Sequence, residues 1–131
     1  MGTKQAPKRL CILVVEDNDL LRETFRLALY KDHAIYVAKG AKEGWRQYKE
    51  KKPDIVFMDI NLPDGNGHDL TKQIKKDNPS TCVVMATVND VVEEKERAAN
   101  NHADGFIAKP FTKEEIDACI ERCQTLKSRF G

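Results

Sequence analysis

The chain has 131 residues, of which 40% are apolar and 33% charged, a mix that is typical of one compact globular domain. The formal net charge is +1, so no strong field favours a nucleic acid or an anionic membrane as a direct partner. No apolar run approaches the roughly 20 residues that cross a bilayer, and residues 1–8 lack the apolar stretch of a signal peptide. We therefore expect a cytoplasmic protein.

Five apolar runs alternate with five helical patterns, after a flexible N-terminal segment at residues 1–8. The predicted strands are residues 10–15, 34–38, 55–58, 82–86 and 106–108, and the predicted helices are residues 18–31, 41–51, 69–76, 90–100 and 114–127. One domain therefore covers residues 9–127, and residues 128–131 form a tail. Continuous apolar strands that alternate strictly with helices indicate a parallel sheet with helices on both faces.

The last two predicted helices differ in how well the sequence anchors them. Thr112 and Glu115 form a capping-box pattern ahead of the final helix, and apolar residues recur behind it at helical spacing. The helix at residues 90–100 has little apolar face. Such a polar helix is typical of a solvated surface, and it also fits a surface that moves or meets partners.

Polar residues follow four of the five strands at the edge where this kind of fold binds its ligands. In the common strand order 2-1-3-4-5, ligands bind at the carboxyl ends of the strands where the winding reverses. The neighbouring ends of strands 1, 3, 4 and 5 carry Glu16 and Asp17, Asp59, Thr87 and Lys109. One polar residue after a strand is ordinary, because loops are solvated, but five at this edge predict a functional site.

The three acids of this set predict a metal site. Carboxylates that lie close together repel one another unless a cation lies between them. A small set of oxygen ligands suits Mg²⁺, which keeps several waters and often binds beside a phosphate. Glu16, Asp17 and Asp59 are therefore candidate Mg²⁺ ligands, and the backbone carbonyl of Asn61 is a further one.

The central acid is also a candidate nucleophile. A carboxylate can attack phosphorus and form an aspartyl phosphate, and Asp59 ends the strand that lies between the other members of the site. The ammonium group of Lys109 would offset charge on a phosphoryl oxygen, and the hydroxyl of Thr87 could donate a hydrogen bond to another such oxygen.

The cysteines and histidines are predicted to be structural or solvated. Cys119 and Cys123 share one face of the final helix; they could be half of a metal site, but two core thiols that face the sheet fit better because no CxxC pair or nearby histidine completes such a site. The other cysteines, in apolar runs, are predicted to be small buried hydrophobes: Cys11 and Cys82. The histidines fall in loops or at helix starts, where solvated surface is favoured over phosphotransfer or metal binding: His33, His68 and His102.

The chain resembles the receiver domain of two-component response regulators. The resemblance extends from about Arg9 to about Leu126, and it rests on the acidic pair Glu16-Asp17, on "DIVFMDINLPDGNG" around Asp59, on Thr87, and on "GFIAKPF" at residues 105–111. It implies a flavodoxin-like doubly wound (βα)5 fold with the strand order 2-1-3-4-5. It also implies that Asp59 is the phosphoacceptor, which receives a phosphoryl group from a histidine kinase or a histidine phosphotransfer domain with Mg²⁺ as cofactor.

The resemblance further implies how the signal is made. Lys109 would contact the phosphoryl group and precede a cis peptide bond to Pro110, and Thr87 would be drawn toward the phosphate. Phe106 would be the aromatic switch, whose ring turns inward when Thr87 moves. The surface of the fourth helix, fifth strand and fifth helix would then change and meet a downstream effector. Such a domain catalyses its own phosphorylation and dephosphorylation and is not an enzyme in the ordinary sense.

Some residues differ from the commonest pattern of that family. Phe106 stands where tyrosine is frequent, so the switch would have no hydroxyl for a partner. Val88 follows Thr87 where a smaller residue is usual, and its bulk would narrow access to the phosphate or restrain the threonine. Asn61 and Asn89 stand at positions that tune the lifetime of the phosphate in the family.

Three other functions fit the sequence less well than the signalling switch. A haloacid-dehalogenase-like phosphatase needs a second acid two residues after the nucleophile, where Asn61 stands, and a larger core or cap. A flavodoxin-type binding module needs a Ser/Thr- and Gly-rich phosphate loop after strand 1, where residues 16–19 read EDND. A degenerate receiver would signal without phosphate, but the full set of site residues argues against it.

Overall fold

The computed structural model describes residues 9–88, Arg97 and residues 102–130. Its strands are β1 (Cys11–Val15), β2 (Ala34–Ala38), β3 (Ile55–Asp59), β4 (Asn61–Leu62), β5 (Gly65–Asn66), β6 (Cys82–Thr87) and β7 (Gly105–Ala108). Its helices are α1 (Asp19–Leu29), α2 (Ala41–Lys51), α3 (Gly67–Asp77) and the C-terminal helix (Lys113–Phe130). The helix predicted at residues 90–100 lies outside the described residues apart from Arg97, and so does Asn89.

The main sheet is parallel and has the order β2-β1-β3-β6-β7. Since β6 and β7 are the fourth and fifth predicted strands, this is the expected order 2-1-3-4-5, and the flavodoxin-like doubly wound fold is confirmed. β4 and β5 form a separate two-stranded antiparallel pair that was not predicted. β3 lies at the centre of the sheet, and all five of its residues are buried.

Hydrophobic clusters cover both faces of the sheet. In β3, Ile55 and Phe57 belong to the cluster under α1 and the C-terminal helix, whereas Val56 and Met58 belong to the cluster under α2 and α3. Successive strand residues point to opposite faces. Burial on both sides is therefore the reason why the strands read as continuous apolar runs.

Helix boundaries follow their capping residues. The Oδ1 atom of Asn18 accepts a hydrogen bond from the Leu21 N–H group at the start of α1. The predicted capping box is confirmed, because Thr112 and Glu115 each accept a hydrogen bond from the other's backbone N–H group. The C-terminal helix continues to Phe130, three residues beyond the predicted end at residue 127.

The cysteine prediction was wrong for one pair. Cys82 at the start of β6 and Cys123 on the C-terminal helix form a disulfide bond, with their Cα atoms 6.0 Å apart. The helix face that carries Cys123 packs on the sheet as expected, and this packing brings the residue to Cys82. Cys11 and Cys119 are thiols, both only partly buried, and burial is the main cause that raises the pKa of each.

The prediction of solvated histidines was wrong for two of the three. His33 and His68 are buried, and His102 is exposed. The Nδ1 atom of His33 accepts a hydrogen bond of 3.1 Å from the Leu10 N–H group, which ties the start of β2 to the segment before β1. Burial lowers the pKa of His33.

In the part of the chain that the structure describes, no helix is both long enough and apolar enough to cross a membrane. The cytoplasmic location stays a prediction.

Candidate functional site

The sheet brings the predicted site residues to one edge. Glu16 follows β1, Asp59 ends β3, Thr87 ends β6, and Lys109 follows β7. The strand register aligns these ends, since Asp59 lies opposite Ala86 on the neighbouring strand. A carboxylate oxygen from each of the three acids, Glu16, Asp17 and Asp59, lies within 4.8 Å of the other two.

Lys109 joins two of these acids. Its Nζ atom lies 2.6 Å from Oε1 of Glu16 and 3.3 Å from Oδ1 of Asp59. Its backbone N–H group donates a 2.8 Å hydrogen bond to the carbonyl of Thr87. The peptide bond from Lys109 to Pro110 is cis, as predicted. The ammonium group is therefore held at the acidic cluster by contacts at both ends of the residue.

Glu16 has a partner at every polar atom. Its N–H group donates to the Ala38 carbonyl, and its carbonyl accepts a 2.8 Å bond from Nη1 of Arg22. Its carboxylate accepts from Lys109 and, through Oε2, from the Asn18 N–H group. Burial raises the pKa of Glu16, helped by the charge of Asp59, while the bonds from Lys109 and Asn18 oppose this rise. The residue is thus a fixed, buried ligand candidate.

The charges of the cluster fit a divalent cation. With the three acids ionised, the single ammonium group of Lys109 leaves two negative charges in excess. Asp59 is 8% exposed and Asp17 is exposed, so the cluster is open to solvent on one side. An all-oxygen donor set with an open side is what Mg²⁺ accepts while it keeps several waters. The residues present therefore fit the predicted ion.

The loop after Asp59 folds back on the strand end. β4 and β5 form the two sides of a turn, and the Gly67 N–H group donates a 2.7 Å hydrogen bond to the Ile60 carbonyl. Asn61, the predicted carbonyl ligand, lies in β4. A Cβ atom at Gly67 would lie 2.0 Å from the carbonyl oxygen of Asp59, so this turn requires glycine for close approach.

The tip of this turn is fastened to α2. The carboxylate of Asp64 accepts hydrogen bonds from the Ala41 and Lys42 N–H groups, at 2.6 and 3.1 Å. These bonds lower the pKa of Asp64. They cap a helix whose own N-cap, Gly40, has no side chain. In the sequence, Asp64 stands in the turn stretch DGNG, and in the structure its carboxylate is a helix cap as well.

The two predicted switch residues differ in burial. Thr87 is 1% exposed, whereas Phe106 on β7 is only partly buried and packs against the cluster under α2 and α3. Val88, next to Thr87, has an exposed side chain. Whether that side chain narrows access to a phosphate stays a prediction.

The sequence reasoning missed Arg22 and Asn18 as supports of the site. Asn18 carries a recognisable N-cap signal before α1, so its place could have been found. Arg22 gave no such signal, because its bond to the Glu16 carbonyl depends on where the helix packs.

Comparisons with known proteins agree with this architecture. Residues 12–121 match the family model of the response regulator receiver domain. The probable transcriptional regulatory protein TcrX of Mycobacterium tuberculosis is 31% identical over 121 residues, which make up 92% of this chain and 50% of TcrX. The chemotaxis protein CheY of Halobacterium salinarum is 33% identical over 106 residues, which make up 80% of this chain and 88% of CheY.

A solved structure supports the fold. The CheY-like response regulator receiver domain protein of Methanospirillum hungatei superposes with a TM-score of 0.86 at 24% identity, over 95% of this chain and 100% of that chain. The chain spans about half the length of the transcriptional regulators that it matches. Their activity as whole proteins is therefore not attributed to it.

Proposed function

The chain belongs to the response regulator receiver domain family, and from this premise we propose that it is a phosphorylation-dependent signalling switch whose phosphoacceptor is Asp59. The donor is a histidine kinase or a histidine phosphotransfer domain, and the reaction requires Mg²⁺. The observation that supports this best is the geometry of Lys109, whose ammonium group lies between Glu16 and Asp59 in a cluster with excess negative charge.

The chemistry is the transfer of a phosphoryl group between two nucleophiles. A carboxylate oxygen of Asp59 attacks the phosphorus, an O–P bond forms, and the N–P bond to the donor histidine breaks with its electron pair on the imidazole nitrogen. Lys109, now 3.3 Å from Oδ1 of Asp59, offsets charge on a phosphoryl oxygen. Later, water attacks the phosphorus, phosphate leaves, and the carboxylate is restored. The chain is therefore the acceptor of the phosphoryl group and also supplies the side chains that promote its transfer and release. It does not convert a separate substrate.

Mg²⁺ would be held by the carboxylates of Glu16, Asp17 and Asp59 and by the backbone carbonyl of Asn61. When bound, the ion supplies positive charge to the phosphoryl oxygens. Glu16 has the fixed position that such a ligand needs, because it is buried and bonded at every polar atom.

The response follows from the new charge at Asp59. Thr87 moves toward the phosphoryl group, and the ring of Phe106 turns into the space that is left. The surface of β7 and the C-terminal helix, to which the family resemblance adds the helix predicted at residues 90–100, would then present a changed face to a downstream effector. We expect Phe106→Ala to leave phosphorylation largely intact and to weaken the change at this surface, as followed by amide hydrogen exchange. Loss of phosphorylation would instead place the ring in the reaction.

The central test uses a small phosphodonor. The protein is incubated with acetyl phosphate and Mg²⁺, and its intact mass is measured. We expect a gain of one phosphoryl group that is absent without Mg²⁺ and absent in Asp59→Asn. A matched control is Asp64→Asn, since Asp64 lies in the same loop but caps α2, and asparagine also caps well; this variant should still be phosphorylated.

Three outcomes would contradict the proposal. A mass gain that survives Asp59→Asn would put the phosphoryl group elsewhere. No gain in the folded wild-type protein, at saturating Mg²⁺ and donor, would leave a receiver that acts as an interaction module without phosphate. Sustained hydrolysis of unrelated phosphate esters would favour a haloacid-dehalogenase-like phosphatase.

A further inference from the structure

Arg22 is a buried cation that the proposed chemistry does not use. Its side chain, on α1, is only 11% exposed. Nη1 donates a 2.8 Å hydrogen bond to the backbone carbonyl of Glu16, and Nη2 is bonded to the carboxylate of Asp19, whose side chain is 89% exposed. An arginine side chain that donates to a buried main-chain carbonyl, while its counter-ion lies at the surface, is suited to fix the position of that main-chain segment.

We propose that Arg22 is a positioning residue for the divalent cation: its bond to the Glu16 carbonyl fixes the direction in which the chain leaves β1 and so places the carboxylates of Glu16 and Asp17. The inference rests on the proposed function, because it concerns the same metal site. It adds a residue that touches neither the ion nor the phosphoryl group.

The placement of the acidic pair shows why this bond matters. The N–H group of Glu16 is still in the sheet, where it donates to Ala38, whereas the next residue, Asp17, is exposed and outside β1. The Glu16 carbonyl therefore lies at the point where the chain turns from strand to loop. Without Arg22, this buried acceptor loses the hydrogen bond from Nη1, and the peptide that follows it is held less firmly, by the bond from the Asn18 N–H group to the Glu16 carboxylate. Asp17 would then move relative to Asp59.

The two possible roles of Arg22, as a charge and as a positioning residue, predict opposite changes in Mg²⁺ affinity when it is removed. If Arg22 acted only through its charge, its removal would leave the cluster more negative and would tighten the binding of Mg²⁺. If Arg22 acts through the Glu16 carbonyl, its removal weakens binding, and loss of an outer partner of a metal ligand typically costs about 10- to 100-fold in affinity. The sign of the change therefore separates the two roles.

The experiment measures Mg²⁺ binding by isothermal titration calorimetry, without any phosphodonor, and folding by circular dichroism. Arg22→Met keeps the aliphatic stem and removes the donor; we expect about tenfold weaker Mg²⁺ binding in a folded protein. The double variant Arg22→Met/Asp19→Asn keeps the net charge and should lose as much. Asp19→Asn alone keeps the bond to the Glu16 carbonyl and should bind Mg²⁺ within about twofold of wild type.

Rescue separates positioning from general damage. Arg22→Lys keeps one cationic donor on a long stem and should recover part of the affinity. At Mg²⁺ concentrations that saturate Arg22→Met, its phosphorylation by acetyl phosphate should approach the wild-type rate, whereas a general structural defect would not respond to the metal. Arg22→Gln replaces Arg22→Met if the latter melts below the assay temperature, with the same expected loss.

Wild-type or tighter Mg²⁺ binding in folded Arg22→Met or Arg22→Gln would overturn the inference while the proposed function stands. Failure of the wild-type chain to bind Mg²⁺ would overturn both. The two failures are distinguished by the wild-type titration alone.

Discussion

Gly67→Ala is the substitution whose effect on the site is most directly set by geometry. The new Cβ atom would lie 2.0 Å from the carbonyl oxygen of Asp59 and 2.9 Å from Cα of Ile60, whereas ordinary contact begins at 3.4 Å. The shortfall to the carbonyl oxygen is therefore 1.4 Å, and both neighbours are backbone. None of the glycines that the structure describes has a positive φ, so the cost at Gly67 comes from crowding rather than from an unfavourable dihedral angle.

The magnitude follows from what must move. Overpacking of a well-packed site costs about 1–3 kcal/mol, and a clash with main chain rather than with a flexible side chain belongs at the upper end, about 3 kcal/mol. For a urea m-value of roughly 2 kcal/mol/M, the midpoint of unfolding should fall by about 1.5 M. Because the carbonyl of Asp59, the proposed phosphoacceptor, would be displaced by about 1 Å, we also expect phosphorylation to slow by up to about a hundredfold.

A second glycine provides the control. At Gly105 in β7, an added Cβ atom would meet only the methyl groups of Val84, at 3.6 and 3.8 Å. Gly105→Ala should therefore change the free energy of unfolding by no more than about 0.5 kcal/mol. Urea titrations followed by circular dichroism, with intact-mass rates of phosphorylation, test both variants. If Gly67→Ala unfolds and reacts like Gly105→Ala, the turn is not packed against the carbonyl of Asp59.

Three further predictions concern groups away from the acids. The Cys82–Cys123 bond closes 41 residues, so its reduction should lower the free energy of unfolding by about 4 kcal/mol, and alkylation of the denatured chain should label two cysteines before reduction and four after it. Burial and then the hydrogen bond to Asp77 raise the pKa of Tyr48 to about 12, so a carbon-13 titration should show this phenol ionising only near that pH. The pKa of His33 in the folded protein is lowered from 6.5. Its contribution to stability is therefore present above pH 6.5 and is lost as the pH falls toward the folded pKa. The urea midpoint of unfolding should decline on acidification, and it should decline less in His33→Asn.

The strands and the site were predictable for one geometric reason. Parallel strands that are buried on both faces read as continuous apolar runs, and their carboxyl ends must share an edge. Because Asp59 ends the third strand, the polar residues at the ends of the adjacent strands had to lie close to it. The predicted strand stopped one residue early at Met58, because aspartate is rare in strands, whereas in the structure Asp59 still pairs with Ala86.

The features that the sequence did not reveal depend on contacts between distant residues. Cys82 and Cys123 lie 41 residues apart, and their spacing has no local pattern that indicates a bond. Asp64 reads as a turn residue in its own segment, and only the packing of the turn on α2 makes it a cap. His33 was expected in solvent because it falls in a predicted loop, but it is buried, and its Nδ1 atom accepts a hydrogen bond from Leu10, which precedes β1.

The contacts of Lys109 link the site of the proposed reaction to the proposed output surface. Its Nζ atom is now shared between Glu16 and Asp59, with the shorter contact, 2.6 Å, to Glu16. A phosphoryl group on Asp59 adds oxygens that compete for the same ammonium group, so the contact to Glu16 must lengthen or the main chain must follow. That main chain is bonded to the Thr87 carbonyl and lies directly after β7, the strand that carries Phe106. A shift of charge at the acids would thus reach both proposed switch positions through Lys109.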